Sequence, residues 1–365
     1  MTLLRIILMI TKLGVFMTHL FKVVTTVGLL ITSSFVLSQT NSSAENENQI
    51  REAMAMIESP APEFSTLAPM PTEKQLADLG LEQPNTAQAL SVSVRDSQKL
   101  HINLFESNSD TSVLLLHGVA SSSYTYNKMA GYIRDAMNAN VYVLDFRGHG
   151  QSGGVAGDVQ YQNQYAYDIE DVLQFIKKQS PEGRIIVAGH SMGGGIALMH
   201  ASLANHTDVD GYVLFAPNLG SSAPTAQTPE PQADSNTESF LKLHIPRIIG
   251  LYQLNELGVN SYDHLPVMFF NMPPQFGTNQ YSYRAMLSTS PENYKDALNA
   301  INAPVITLIG SDDEAFNAQA FPDVMGGLSN SQVHIITGET HNGIRHSGKA
   351  MQHVQMWAES MKLLD

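Results

Sequence analysis

The chain has no cysteine in 365 residues. That absence removes thiolate nucleophiles, disulfides and thiolate metal sites together, and it suits an oxidising or a reducing compartment equally. Basic residues are also scarce: 20 Lys and Arg stand against 34 Asp and Glu, a formal charge of −14. Arg5, Lys12 and Lys22 lie in the first 38 residues, which hold no acid, so the remainder carries −17. Such a surface repels phosphate backbones and anionic headgroups, and nucleic acid is not an expected partner. The histidines show no ligand-cluster spacing, so no metal is expected. No internal repeat is visible, and no apolar run after Leu37 is long enough to span a bilayer. Apolar residues are plentiful, at 43%, enough for the core of one large α/β domain or two small ones.

The apolar N-terminus is broken by Lys12, His19 and Lys22, leaving one sustained run over 23–37. That run has the length of a signal-peptide core and ends Val36-Leu37-Ser38, with small residues where a leader peptidase reads, before a polar stretch begins. Counting from Met17 gives a more compact leader than counting from Met1. The expectation is a signal peptide over 1–38, with translation starting at Met17 and the product secreted or periplasmic. The competing expectation is an uncleaved anchor, since no cysteine is available for lipidation.

Residues 39–88 are polar and proline-containing, with one helix expected over 45–58 and another after Pro71. They read as an extension that packs partly on the core. From Ala89, alternating segments at 91–94 and 100–105 flank a polar tip, which predicts an antiparallel hairpin. Continuous apolar runs follow at 112–116, 141–144, 185–187, 212–215, 305–309 and 332–336. Helical segments are expected at 124–137, 165–177, 194–204, 318–325 and 348–362. Apolar strands alternating with helices predict an α/β, mostly parallel, doubly wound sheet.

Residues 218–303, after the sixth strand, break this alternation. They open with a Ser-, Pro- and Thr-rich stretch too polar to order itself. An aromatic portion follows, holding Tyr262, Phe269, Phe270, Phe276, Tyr281 and Tyr283. Inserted between core strands, this segment reads as a cap over the carboxyl end of the sheet. Its aromatics either face a substrate cavity or pack the insert onto the core, and the sequence leaves both open.

The chemistry centres on Gly189-His190-Ser191-Met192-Gly193, between the strand at 185–187 and a helix. A serine on so sharp a strand-to-helix turn is held in strained backbone, and flanking glycines let the two elements pass closely. A serine hydroxyl needs a base and an orienting carboxylate, and on this architecture they follow in the order Ser, Asp, His. Asp312 and Asp313 stand at the end of the strand over 305–309, and His341 lies in the loop after 332–336. All three groups therefore emerge at one sheet edge. The Val119 and Met192 N–H groups would complete an oxyanion hole, Val119 following His117-Gly118 at a strand end and Met192 heading a helix. Arg147 and His149, in Asp145-Phe146-Arg147-Gly148-His149-Gly150-Gln151-Ser152, read as braces of the site. The remaining histidines read as structural.

His117-Gly118, the 145–152 segment, Gly189-His190-Ser191-Met192-Gly193-Gly194, Asp313 and His341 together resemble the α/β-hydrolase superfamily. The likeness is to its lysophospholipase, monoacylglycerol-lipase and serine-aminopeptidase-like branch, and it runs from about Ala89 onward. The resemblance implies an α/β-hydrolase fold with Ser191 as nucleophile, His341 as base and Asp313 as acid, Asp312 being the fallback. The long extension and the polar start of the insert depart from the pattern.

The expected function is cleavage of carboxylic esters, lipid-like or small, through an acyl-enzyme on Ser191 with no cofactor. One alternative is a peptidase releasing N-terminal residues, for which Asp263, Glu256 or Glu238 would supply an acidic pocket. Another is a non-catalytic binding module on the same fold. A dehalogenase would want a carboxylate where Ser191 stands.

Overall fold

The computed structural model describes residues 43–227, 239–328 and 330–363. The leader expected over 1–38 lies outside them, as do residues 228–238 of the polar stretch. The hairpin forms as β1 (Gln88–Ser93) and β2 (Lys99–Phe105), antiparallel with Val92 opposite Leu100. The continuous apolar runs become β3 (Ser112–Leu116), β4 (Asn140–Leu144), β5 (Ile185–His190) and β6 (Gly211–Phe215). After the insert, β10 (Val305–Gly310) and β11 (Ser331–Ile336) complete an eight-stranded sheet in the order β1-β2-β4-β3-β5-β6-β10-β11. All pairings from β4 to β11 are parallel, and β2 joins β4 antiparallel.

Position in the sheet explains how each run reads. β3, β5, β6 and β10 lie inside it and are buried along their whole length, whereas the edge strands β1 and β11 keep partly exposed faces. Central strands covered on both faces need apolar residues at every position. Their side chains alternate between two cores. Leu114, Val187 and Leu214 meet α4 (Gln164–Gln179) and α5 (Met192–Ala201) on one face, while Leu115, Ala188 and Val213 meet α3 (Asn127–Met137) and α10 (Gly348–Ser360) on the other. Each fully buried Leu or Val contributes roughly 1.5–3 kcal/mol, so the two layers together hold the sheet. The helix after Ser191 starts at Met192, two residues before the expected 194, because the strand turns directly into it.

The extension forms α1 (Ser43–Ile57) and the short α2 (Glu73–Asp78), the latter capped by Thr72, whose side chain accepts the Gln75 N–H. The insert contributes α6 (Ile245–Glu256), α7 (Tyr283–Leu287), α8 (Tyr294–Asn299) and a small antiparallel sheet of β7 (Leu241–Leu243), β8 (Pro266–Phe270) and β9 (Gln280–Ser282). α9 (Phe321–Met325) precedes β11. The extension docks chiefly on the insert. α1 lies against α6 so closely that a Cβ on Gly250 would sit 2.5 Å from the Ala53 carbonyl oxygen. His244 and Arg247 then donate to the carbonyls of Ser59 and Ile57 at 2.8 and 3.0 Å. The end of the extension reaches the core, where Glu82 pairs with Lys128 and Asn85 bonds Asn127.

Candidate active site

Ser191 joins β5 to α5 with φ +54° and ψ −118°, a conformation a side chain rarely adopts. Backbone bonds hold it there: its N–H donates to Phe215, and its carbonyl accepts from Asn218 and Gly195. Gly189 must lack a side chain, since a Cβ would come within 2.6 Å of the Gly193 backbone. The serine is only 7% exposed and lines a pocket of about 160 Å³ together with His341 and Val119.

His341 and Asp313 meet behind it. The imidazole Nδ1 donates to Asp313 Oδ2 at 2.9 Å, and Asp313 Oδ1 accepts the Ala315 and Phe316 N–H groups at 2.8 Å each. Asp312 turns away and accepts from the Ser311 hydroxyl. The His341 ring is held between His190 and the edge of Phe316, with centroids 4.8 and 5.2 Å away. Burial pulls the His341 pKa down, but the charge and hydrogen bond of Asp313, aided by Glu314, outweigh it, and the net shift is upward. Glu314 also accepts the His341 N–H at 3.1 Å, and burial pushes its own carboxyl up.

The loop after β3 is held by two tyrosines. Gly118 N–H donates to the Tyr126 hydroxyl at 2.8 Å and Ala120 N–H to that of Tyr281 at 2.9 Å, while Val119 N–H between them has no partner among the described residues. Met192 heads α5, where an N–H has no partner one turn earlier in the helix. A second chain crosses the site. Tyr126 donates to His190 Nδ1 at 2.7 Å, and His190 Nε2 donates to the His341 carbonyl at 2.9 Å. Burial holds His190 well below the ordinary imidazole range, so it stays neutral in this role.

The expected braces are present. Arg147, buried, pairs with Asp96 and Asp168 at 2.7 Å each, tying the loop after β4 to the hairpin tip and α4. His149 bonds the Tyr281 hydroxyl. Other histidines have local partners: His200 bonds Glu170 through Nε2, and His244 caps α6. Among the described residues no group of His, Asp and Glu has metal-binding geometry, and no helix is long and apolar enough to cross a membrane.

The insert departs from the cavity-facing placement of its aromatics. Of the six, only Phe276 lines the pocket. Tyr281, Tyr283 and Phe270 are buried in packing, Phe269 is half-buried and Tyr262 is exposed. The acids offered for a peptidase pocket are not there either: Asp263 bonds Asn255, Glu256 lies outside the lining, and Glu238 is outside the described residues. Sequence patterns also miss the wall built by the extension, where Pro69, Leu79 and Leu81 line the pocket together with Phe240 and Phe276 of the insert. Asn271 secures that wall, accepting the Ala68 N–H at 2.7 Å and donating to the Thr66 carbonyl at 2.8 Å.

A family model described as serine aminopeptidase, S33, matches residues 107–346, more than half of the chain. The protein belongs to this family of α/β-hydrolases. Among curated relatives, this S33-family chain is 34% identical over 90 residues to a monoacylglycerol lipase of Mycolicibacterium smegmatis, covering 25% of this chain and 32% of that protein. It is 28% identical over 119 residues to the monoglyceride lipase of Rattus norvegicus, covering 32% and 38%. The chain thus spans about a third of the length of these relatives. Among solved structures, a Pyrococcus furiosus esterase superposes with a TM-score of 0.51 at 18% identity, over 82% of this chain and 99% of that one. A Paleococcus ferrophilus monoacylglycerol lipase gives 0.53 at 18%, over 72% and 99%. At such identities the likeness is one of fold. The family match starts at residue 107, so the extension that walls the pocket lies outside it.

Proposed function

We propose that this S33-family hydrolase cleaves carboxylic esters through an acyl-enzyme on Ser191. The observation that carries the reading is the His341–Asp313 hydrogen bond beside a strained serine in one pocket. Ser191 Oγ attacks the ester carbonyl carbon as its proton passes to His341 Nε2, Nδ1 being committed to Asp313. Negative charge on the carbonyl oxygen meets the Val119 and Met192 N–H groups, a pair of donors each worth on the order of 3 kcal/mol to the transition state. The C–O bond breaks, the alcohol leaves with the proton from His341, and a water activated by the same imidazole returns the acid and free serine.

Pocket composition supports an ester over a peptide. Releasing an N-terminal residue needs an anion to hold the free amine, and no carboxylate lines this pocket among the described residues. A binding module would have no use for a hydrogen-bonded His–Asp pair beside a serine held in strained backbone. The reading includes export, with a leader ending at Ser38.

The test is a fluorophosphonate probe followed by a panel of acyl esters, on the wild type and on Ser191→Ala. The probe should label Ser191 alone, and the variant should lose at least about three orders of magnitude in turnover. Turnover within tenfold of wild type would remove Ser191 from the mechanism.

A further inference from the structure

Four residues past His341, in the 3-10 turn Gly343–His346, Arg345 lines the same pocket while only 6% exposed. It is the one lining residue, histidines aside, with a formal charge. Its guanidinium lies over the Tyr126 ring, 4.9 Å from the centroid, and makes two long hydrogen bonds, 3.3 Å to the Asn342 carbonyl and 3.5 Å to that of Thr125. A guanidinium has five N–H donors. No carboxylate pairs with it among the described residues.

Among the other arginines, buried Arg147 is bracketed by two aspartates and part-buried Arg284 is paired with Asp158, whereas part-buried Arg247 is held by the carbonyls of Ile57 and Pro266. Arg345 is buried almost as deeply as Arg147 and, among the described residues, has no carboxylate partner. A charge in such a place is costly, and the Tyr126 ring with two weak carbonyl bonds offsets only part of that cost. Its field also lowers the pKa of His341 and His190, opposing protonation of the neighbouring base. An anion delivered with the substrate would both pair the guanidinium and lift that opposition.

We infer that Arg345 forms an anion subsite in the Ser191 pocket, and that the esters hydrolysed there carry a carboxylate or a phosphate. This rests on the ester-hydrolase reading above and names its substrate class. About 160 Å³ of largely apolar space, bordered by Leu79, Leu81 and Phe276, accommodates an acyl group of about six carbons, the reacting carbonyl and a terminal carboxylate included.

Two arms locate the anion. In the first, the p-nitrophenyl half-ester of adipic acid is compared with p-nitrophenyl hexanoate, placing the charge on the acyl side. In the second, an acylglycerol phosphate is compared with the monoacylglycerol of the same acyl chain, placing it on the alcohol side. One arm should show at least about a tenfold preference in kcat/KM for the anion, expressed mainly in KM, since a charge-assisted bidentate contact is of that size. Arg345→Gln should reduce the preference to about twofold or less, and Arg345→Lys should retain part of it, which a structural staple alone would not produce. Neutral esters preferred in both arms, or an anion preference that survives Arg345→Gln, would overturn the assignment. Should Ser191 fail to label and no ester turn over, it is the hydrolase reading that fails. Calorimetric binding of monomethyl adipate to Ser191→Ala, with and without Arg345→Gln, then decides the subsite by itself: equal affinity refutes it.

Discussion

The hydroxyl of Tyr281 accepts the Ala120 N–H at 2.9 Å, so a strand of the insert holds the loop that carries Val119. The same hydroxyl donates to His149 Nε2 at 2.6 Å, and burial keeps that imidazole neutral by lowering its pKa to about 4. His149 Nδ1 donates in turn to the Arg147 carbonyl. One phenol therefore joins the insert to the loops after β3 and β4. It does so where Ala120 has a strained φ of +55°.

Tyr281→Phe should leave a buried N–H and a buried ring nitrogen without partners, at a cost of about 1–3 kcal/mol in stability. Because the freed loop carries Val119, kcat should fall more than KM rises. Denaturant titration and steady-state kinetics check both, and an unchanged kcat would show that the loop keeps its shape without the insert.

Asp313→Asn should lower kcat by on the order of four decades, since an amide can neither hold the reactive tautomer nor stabilise the imidazolium. Asp312→Asn should cost far less, its carboxylate facing Ser311. The pH profile gives a second reading. His341 must be neutral to act, and its pKa is raised, so the acid limb of kcat/KM should lie above that of an ordinary imidazole. Any residual activity of Asp313→Asn should show that limb moved to lower pH, because burial then acts without the opposing charge. A limb that stays in place would assign the upward shift to another group.

Asn271→Ala should release Thr66 and Ala68 and loosen the wall that the extension adds to the pocket. The expected result is a several-fold rise in KM for apolar acyl esters, with faster proteolytic cutting between residues 59 and 72, as a strap losing two hydrogen bonds of about 1 kcal/mol each would give. If neither changes, the wall is held by α1 on α6 instead.

The first 38 residues should be removed on export. N-terminal sequencing of protein from the periplasmic or extracellular fraction should begin at or near Gln39. An intact N-terminus in the membrane fraction would make the segment an anchor.

The strand order along the chain, the serine turn and the Ser, Asp, His sequence are legible without coordinates because each is local. A central strand must be apolar throughout, a strained turn needs its glycines, and residues just past strand ends emerge on one side of a parallel sheet. Contacts made across the fold leave no such mark. Tyr281 reaches Ala120 over 161 residues, Asn271 reaches Ala68 over 203 and Arg345 reaches Thr125 over 220. An aromatic in the insert reads the same whether it faces substrate or packs on the core, and both placements bury it equally well. Arg345 likewise reads as one more surface cation four residues past a histidine. Only the tertiary fold, which sets its guanidinium over the Tyr126 ring and beside the Thr125 carbonyl, buries it, with no carboxylate paired to it among the described residues.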